Sequence, residues 1–159
     1  MAAGDILKEE GLVVESFTVK ANEDIEKGEL CYDDGNGLLA ATITAAVGCK
    51  VVMALENHDY SEETSHVISC VVKGFVESQK VSGSGAANKL DKLTISATAG
   101  EVTKLVAGDA PTGGASTYYT TTIESGVQAA IDADAANIGF ATEATANEDI
   151  TQKMFLGGN

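Results

Sequence analysis

The chain has no arginine and no tryptophan: its ten basic residues are all lysine, set against 24 acidic residues for a formal charge of −14. Arginine supplies the planar fork that dominates recognition of phosphates and base edges, and an acidic field repels polyanions, so nucleic acid is not expected as a direct partner. A mildly halophilic source would also account for the acidity. Proline occurs once, at Pro111, against 17 glycines, which points to many tight turns. Aromatic residues make up only 5% of the chain. A core of Val, Ile, Leu and Ala buries less area per residue than an aromatic one, so part of the stability is expected from contact with other chains.

Cysteine is also scarce. Cys31, Cys49 and Cys70 lie far apart in apolar, strand-like contexts without CxxC or Cys/His spacing, and the expectation is three buried free thiols in a reducing compartment. The first residues lack the charged-then-apolar pattern of a signal peptide, and no apolar run approaches the roughly 18 residues of a membrane span. A soluble protein made in the cytoplasm, without a membrane partner, is the expectation. With 159 residues, 44% of them hydrophobic, the chain can bury one sizeable core and is read as one domain.

The strongest pattern runs over residues 51–77. Two β-branched runs, 51–55 and 67–72, flank eleven largely polar residues, which predicts a long antiparallel hairpin whose second strand bends at Gly74 and continues through Phe75 and Val76. Before it, residues 1–14 mix Ile6, Leu7, Leu12, Val13 and Val14 with charges, the pattern of an extended arm or short edge strand. Two outcomes stay open for this arm: pairing with a neighbouring chain, or fraying. Residues 15–20 alternate as a half-buried strand. Residues 21–28 are predicted as one helical turn, with Asn22 as N-cap and Gly28 as left-handed stop. Leu30-Cys31-Tyr32 and residues 38–44 read as strands joined by the turn Asp33-Asp34-Gly35-Asn36-Gly37.

Residues 78–88 read as a flexible Ser/Gly/Ala surface loop, and 93–98 with 101–106 as a second strand-turn-strand unit. A loop over 108–116 leads to the strand-like Thr117-Tyr118-Tyr119 segment. Thr121 with Glu124 fits a capping box, and Ile123, Val127, Ala130 and Ile131 share a helical face, which predicts one helix over 122–135. Residues 137–143 and 150–156 close the chain as strands.

Each group with catalytic or metal-binding residue types fails on spacing. Asp33, Asp34 and Asn36 resemble half a calcium loop, but the closing position after Gly35 is Ala41 instead of Glu. His58, Asp59, Glu62, Glu63 and His66 lack zinc spacing and a glycine elbow, and are read as a solvated hairpin tip. Gly83-Ser84-Gly85 is too short for a phosphate loop. No nucleophile, base, metal or cofactor set remains, so no enzyme is expected.

The chain also echoes itself. Residues 30–39 lie on 93–102 with Gly37 meeting Gly100, and residues 52–56 lie on 139–143 with Ala54 meeting Ala141 and Glu56 meeting Glu143. The second copy would then carry an insertion around Tyr118.

The order of these pieces resembles the small capsid decoration, or cement, proteins of tailed viruses. That family reads as a Lys-Gly-Glu strand and Gly turn, a Val-Val-Ala-Leu-Glu-type strand, a Val-rich strand ending at Gly, a second Gly-turn unit, and a closing Ile-Gly-Phe-Ala strand. Here the pieces are Lys27-Gly28-Glu29-Leu30-Cys31-Tyr32, Asp34-Gly35-Asn36-Gly37, Val52-Met53-Ala54-Leu55-Glu56, residues 70–76, residues 93–104, and Ile138-Gly139-Phe140-Ala141 with residues 153–157. Departures are the longer polar tip at 56–66 and the Tyr/helix insertion. The resemblance implies a mainly β fold, an antiparallel β-barrel or β-tulip-like domain, with no catalytic residues. The sequence adds one short helix and an extended N-terminal arm (residues 1–14) to a single domain over 15–159, with an insertion at about 106–136.

The function implied is structural. The chain would decorate and stabilise the outside of an icosahedral capsid as a homotrimer, bridging major capsid proteins, with Ile6, Leu7, Leu12, Val13, Val14, Tyr118 and Tyr119 as contact residues. A β binding module for a host surface or glycan is the alternative, and exposed Tyr118 and Tyr119 would serve it.

Overall fold

The computed structural model describes residues 2–42, 49–83, 85–105 and 137–157. They form nine strands: β1 (Asp5–Thr18), β2 (Leu30–Asp33), β3 (Leu38–Ala40), β4 (Val52–Ala54), β5 (Val67–Gln79), β6 (Lys92–Ile95), β7 (Val102–Lys104), β8 (Asn137–Ala141) and β9 (Thr151–Leu156). All strand pairs are antiparallel, in the order β3-β2-β4-β5-β9-β8-β6-β7, with β1 added on β5. The fold is mainly β, a curled half-barrel sheet, and no helix occurs among the described residues. The helix expected over 122–135 and the insertion at 106–136 lie outside those residues.

Period-2 patterning explains the strands. In β9, Gln152, Met154 and Leu156 are buried while Thr151, Lys153 and Phe155 are half-buried. The larger core joins Leu30, Met53, Leu93, Met154 and Leu156, none more than 1% exposed. Burying each such side chain stabilises the fold by about 1.5–3 kcal/mol. A smaller core gathers Val19, Ile25, Cys31, Leu38, Ile68 and Cys70.

The expected hairpin is present. Met53 faces Val71 and Ala54 faces Cys70, and β5 runs on past Gly74 to Gln79. β1 pairs along one flank of β5, and β4 and then β9 take the other, so β5 is the spine of the sheet. The strand expected over 15–20 and the arm expected over 1–14 are parts of one element: β1 runs through residue 14 without a break and pairs β5 of its own chain from Asp5↔Glu77 to Thr18↔Val67.

The strand order is a palindrome that follows the echo in the sequence with one correction of register: Cys31 pairs Val52 as Leu93 pairs Gly139, so Cys31, and not Leu30, answers Leu93. β2-β3, β4 and the first part of β5 recur as β6-β7, β8 and β9. Ala54 donates its N–H to the Glu29 carbonyl at 2.9 Å, and Ala141 donates to Asp91 at 2.9 Å. Ile25 and His58 exchange backbone hydrogen bonds, as do Ala87 and Thr145. The second part of β5 pairs β9 as the end of β1 pairs β5, with Gln79↔Thr151 answering Thr18↔Val67.

Two expectations change. Residues 21–28 are not a helical turn: Asn22 itself has φ 64°, and Ile25 bridges to His58. The exchange of hydrogen bonds with the tip holds the segment extended where a helix would need those groups internally. Residues 78–88 are not a free loop, because they repeat that same segment: Ser78 and Lys80 are buried, and Ala87 bridges to Thr145. Lys80, 3% exposed, donates to the carbonyls of Val81, Asn147 and Asp149 at 3.2–3.3 Å, pinning the turn before β9.

Candidate functional site

Ile6, Val13 and Val14 stand 38%, 41% and 43% exposed on β1. That strand pairs only β5, so along its other edge no partner strand is seen among the described residues. Lys8 pairs Phe75 and Val13 pairs Lys73, which leaves residues 9–12 bulging opposite Gly74. Gly74 has φ 154°, and a Cβ there would sit 2.8 Å from the end of the Leu12 side chain. Leu12 packs onto the larger core, while Leu7 lines a groove described below. The exposed Glu9, Glu10 and Glu15 flank the apolar pair Val13 and Val14. Tyr118 and Tyr119 lie outside the described residues.

The tip at 56–66 is largely exposed, as the sequence predicts, with His58 as its buried exception. His58 is 2% exposed, with Nδ1 2.9 Å from Glu63 Oε2 and Nε2 3.2 Å from His66 Nδ1. Tyr60 stacks on the His66 ring at 3.9 Å, and the two histidines meet edge to face at 5.3 Å. The physical reason for the exception is the Ile25–His58 bridge, which draws the tip onto the segment before β2. Asp59 accepts from the Ser61 hydroxyl and N–H, and these bonds hold its carboxyl below the usual range. Ser61 is thereby hydrogen-bonded to a carboxylate and not to either imidazole. Among the described residues, no three His, Cys, Asp or Glu side chains gather as a metal-binding group.

In the turn between β2 and β3, Asp33 Oδ1 accepts from the N–H groups of Gly35 and Gly37, and Asp34 Oδ1 accepts from Asn36. Lys20 Nζ reaches Asp34 Oδ2 at 2.6 Å. These carboxylates thus organise their own backbone. Of the cysteines, Cys31 and Cys70 are buried free thiols, but Cys49 is exposed, contrary to expectation. It sits in the bend before β4, outside either core. Burial raises the Cys70 thiol to about 12 and Cys31 well above its ordinary value.

A feature that the sequence did not flag lies on the outer face of β5, β9 and β8. Phe155 packs against Phe75 at 5.0 Å and against Phe140 at 5.3 Å between ring centroids. Two adjoining hollows of about 520 and 350 Å³ share Leu90 and Phe140 in their walls. Around them stand Lys8, Lys89, Lys92 and Lys153, and one acid, Glu143. Lys8 Nζ lies 4.9 Å from the centre of the Phe75 ring, and Lys153 pairs Glu143 at 2.8 Å. Four lysines against one glutamate make a positive island on a chain of charge −14.

No protein-family model and no curated protein matches the chain.

Proposed function

We propose that the chain is a structural protein of a virus particle, which binds the outside of an icosahedral capsid as a homotrimer and bridges major capsid subunits. One observation carries this reading: β1 presents Ile6, Val13 and Val14 to solvent on a strand that pairs only β5 among the described residues. Such an edge offers main-chain hydrogen bonds together with apolar side chains, the means by which a neighbouring chain adds a strand. Repetition over many equivalent sites turns a modest contact into strong retention. The acidic, arginine-free exterior is consistent with a position away from the packaged genome, on a protein made in the host cytoplasm. No cofactor and no chemical step enter this function.

Because β1 is integral to the sheet, the test uses substitutions and not deletion of residues 1–14. Full-length protein and a Val13→Glu/Val14→Glu variant are mixed with shells assembled from the major capsid protein of the same genome. Co-sedimentation of the wild type, its loss in the variant, and an unchanged melting temperature are the expected results. Light scattering is expected to report a trimer. Capture on a glycan array with no shell binding would replace this reading with that of a surface-recognition module.

A further inference from the structure

The lysine-ringed groove has a counterpart in the first half of the chain, and the difference between them is informative. Gly28 N–H donates to the Ala54 carbonyl at 2.9 Å, and Leu90 N–H donates to the Ala141 carbonyl at 2.8 Å. Gly28 and Leu90 are therefore the same position in the two halves, and both are left-handed, at φ 87° and 73°. Lys27 precedes one and Lys89 precedes the other. In each case a carboxylate three residues on from the turn's first amide braces it: Glu29 accepts from Glu26 N at 2.9 Å, and Asp91 from Asn88 N at 2.7 Å.

In the first half this position is covered. A Cβ on Gly28 would lie 2.5 Å from the Ala3 side chain, and the segment that carries Ala3 places Asp5 against Lys27 at 3.3 Å. A segment of polypeptide carrying one carboxylate, that of Asp5, thus sits on the Lys27–Gly28 turn. In the second half, Leu90 holds the equivalent position, 69% exposed and lining both hollows. A left-handed backbone is strained for leucine and free of strain for glycine, so the large side chain is held out at a cost. The sheet beside it changes in the same sense. Phe140↔Phe155 takes the place of Met53↔Val71, a pair wholly buried in the first half and only half-buried in the second.

We propose that this groove binds an acidic segment of a partner protein, laid on the Lys89–Leu90 turn as residues 2–5 are laid on Lys27–Gly28. Its carboxylates meet Lys89 and the surrounding lysines, and its apolar side chains lie on Leu90, Phe140 and Phe155. Charge complementarity selects the segment, since this is a positive rim on a negative protein, and the aromatic floor selects against a purely charged polymer. The groove and its rim do not depend on whether the chain decorates a shell.

The test is fluorescence anisotropy of full-length protein with a labelled synthetic peptide that alternates Asp or Glu with Phe and Leu. Binding that weakens with added salt is expected, with a loss of about tenfold or more in Lys89→Glu and in Leu90→Gly. Neither side chain belongs to a core, and circular dichroism with thermal melts verifies that both variants fold. Peptides with Ser in place of Phe and Leu, or Lys in place of the acids, are expected to bind at least tenfold more weakly. No binding of the acidic-apolar peptide, equal binding of the serine peptide or of single-stranded DNA, or unchanged affinity in both variants overturns the proposal.

Discussion

His58 Nε2 lies 3.2 Å from His66 Nδ1, while the other nitrogen of His58 meets Glu63 at 2.9 Å. The arrangement that satisfies all three groups has His58 donating to the carboxylate and accepting from His66. With the imidazole almost wholly buried, this chain of hydrogen bonds ties residues 58, 63 and 66 of the tip to one another. His58→Ala removes the link and leaves a cavity, and is expected to cost roughly 2–3 kcal/mol. Glu63→Gln, at an exposed partner, is expected to cost less than about 1 kcal/mol. Urea denaturation of both variants reads the difference.

The equivalence of Gly28 and Leu90 makes a paired prediction. Gly28→Ala forces a side chain into Ala3 at a left-handed backbone and is expected to destabilise by more than about 2 kcal/mol. Leu90→Gly relieves strain and removes a side chain that neither core includes, so its melting temperature is expected to hold or rise by a few degrees. Thermal melts of the two variants side by side are decisive: a large drop in Leu90→Gly contradicts the equivalence.

Thiol chemistry separates the three cysteines. Ellman's reagent is expected to titrate one thiol in the native protein, that of exposed Cys49, and all three in denaturant. The burial that raises Cys31 and Cys70 also withholds the reactive thiolate. A Cys49→Ser variant should then be silent until unfolded.

The Lys20–Asp34 pair sets a pH dependence. The hydrogen bond from Lys20 lowers the Asp34 carboxyl in the folded state, so its contribution is present above the ordinary Asp value and is lost as pH falls through the lowered one. The urea midpoint of Asp34→Asn is expected to lie below that of the wild type at neutral pH, with the gap closing below about pH 4. A gap that persists in acid would mean that the substitution acts through the turn's backbone instead.

Much of the sheet was legible because its strands carry their own pattern. The Val-rich runs around Met53 and Val71 announced β4 and β5, and Ala54 matched with Ala141 marked the duplication. What stayed hidden depends on partners distant in sequence. Lysine reads as surface, yet Lys80 is buried because three carbonyls converge on it. Residues 21–28 read as a helical turn and 78–88 as a loop because their order comes from bridges to His58 and Thr145. Phe75, Phe140 and Phe155 share a face only through the register of β5, β9 and β8. The one signal in the sequence was the echo itself, which puts Phe140 on Met53 and an aromatic where the first copy has a core residue.

β5 closes the first half of the fold and opens the second, and this shared strand dictates an order of events during synthesis. Once residue 79 has left the ribosome, β1 to β5 can all pair, so the first half has its complete set of strands early. The flank of β5 from Gly74 to Gln79 must then wait for β9, which is made last. Such a delay leaves apolar strand edge exposed in a nascent chain, a known route to aggregation. Destabilising β9, for instance by Met154→Ala, should therefore trap a half-paired species that slow refolding or chaperone capture would reveal.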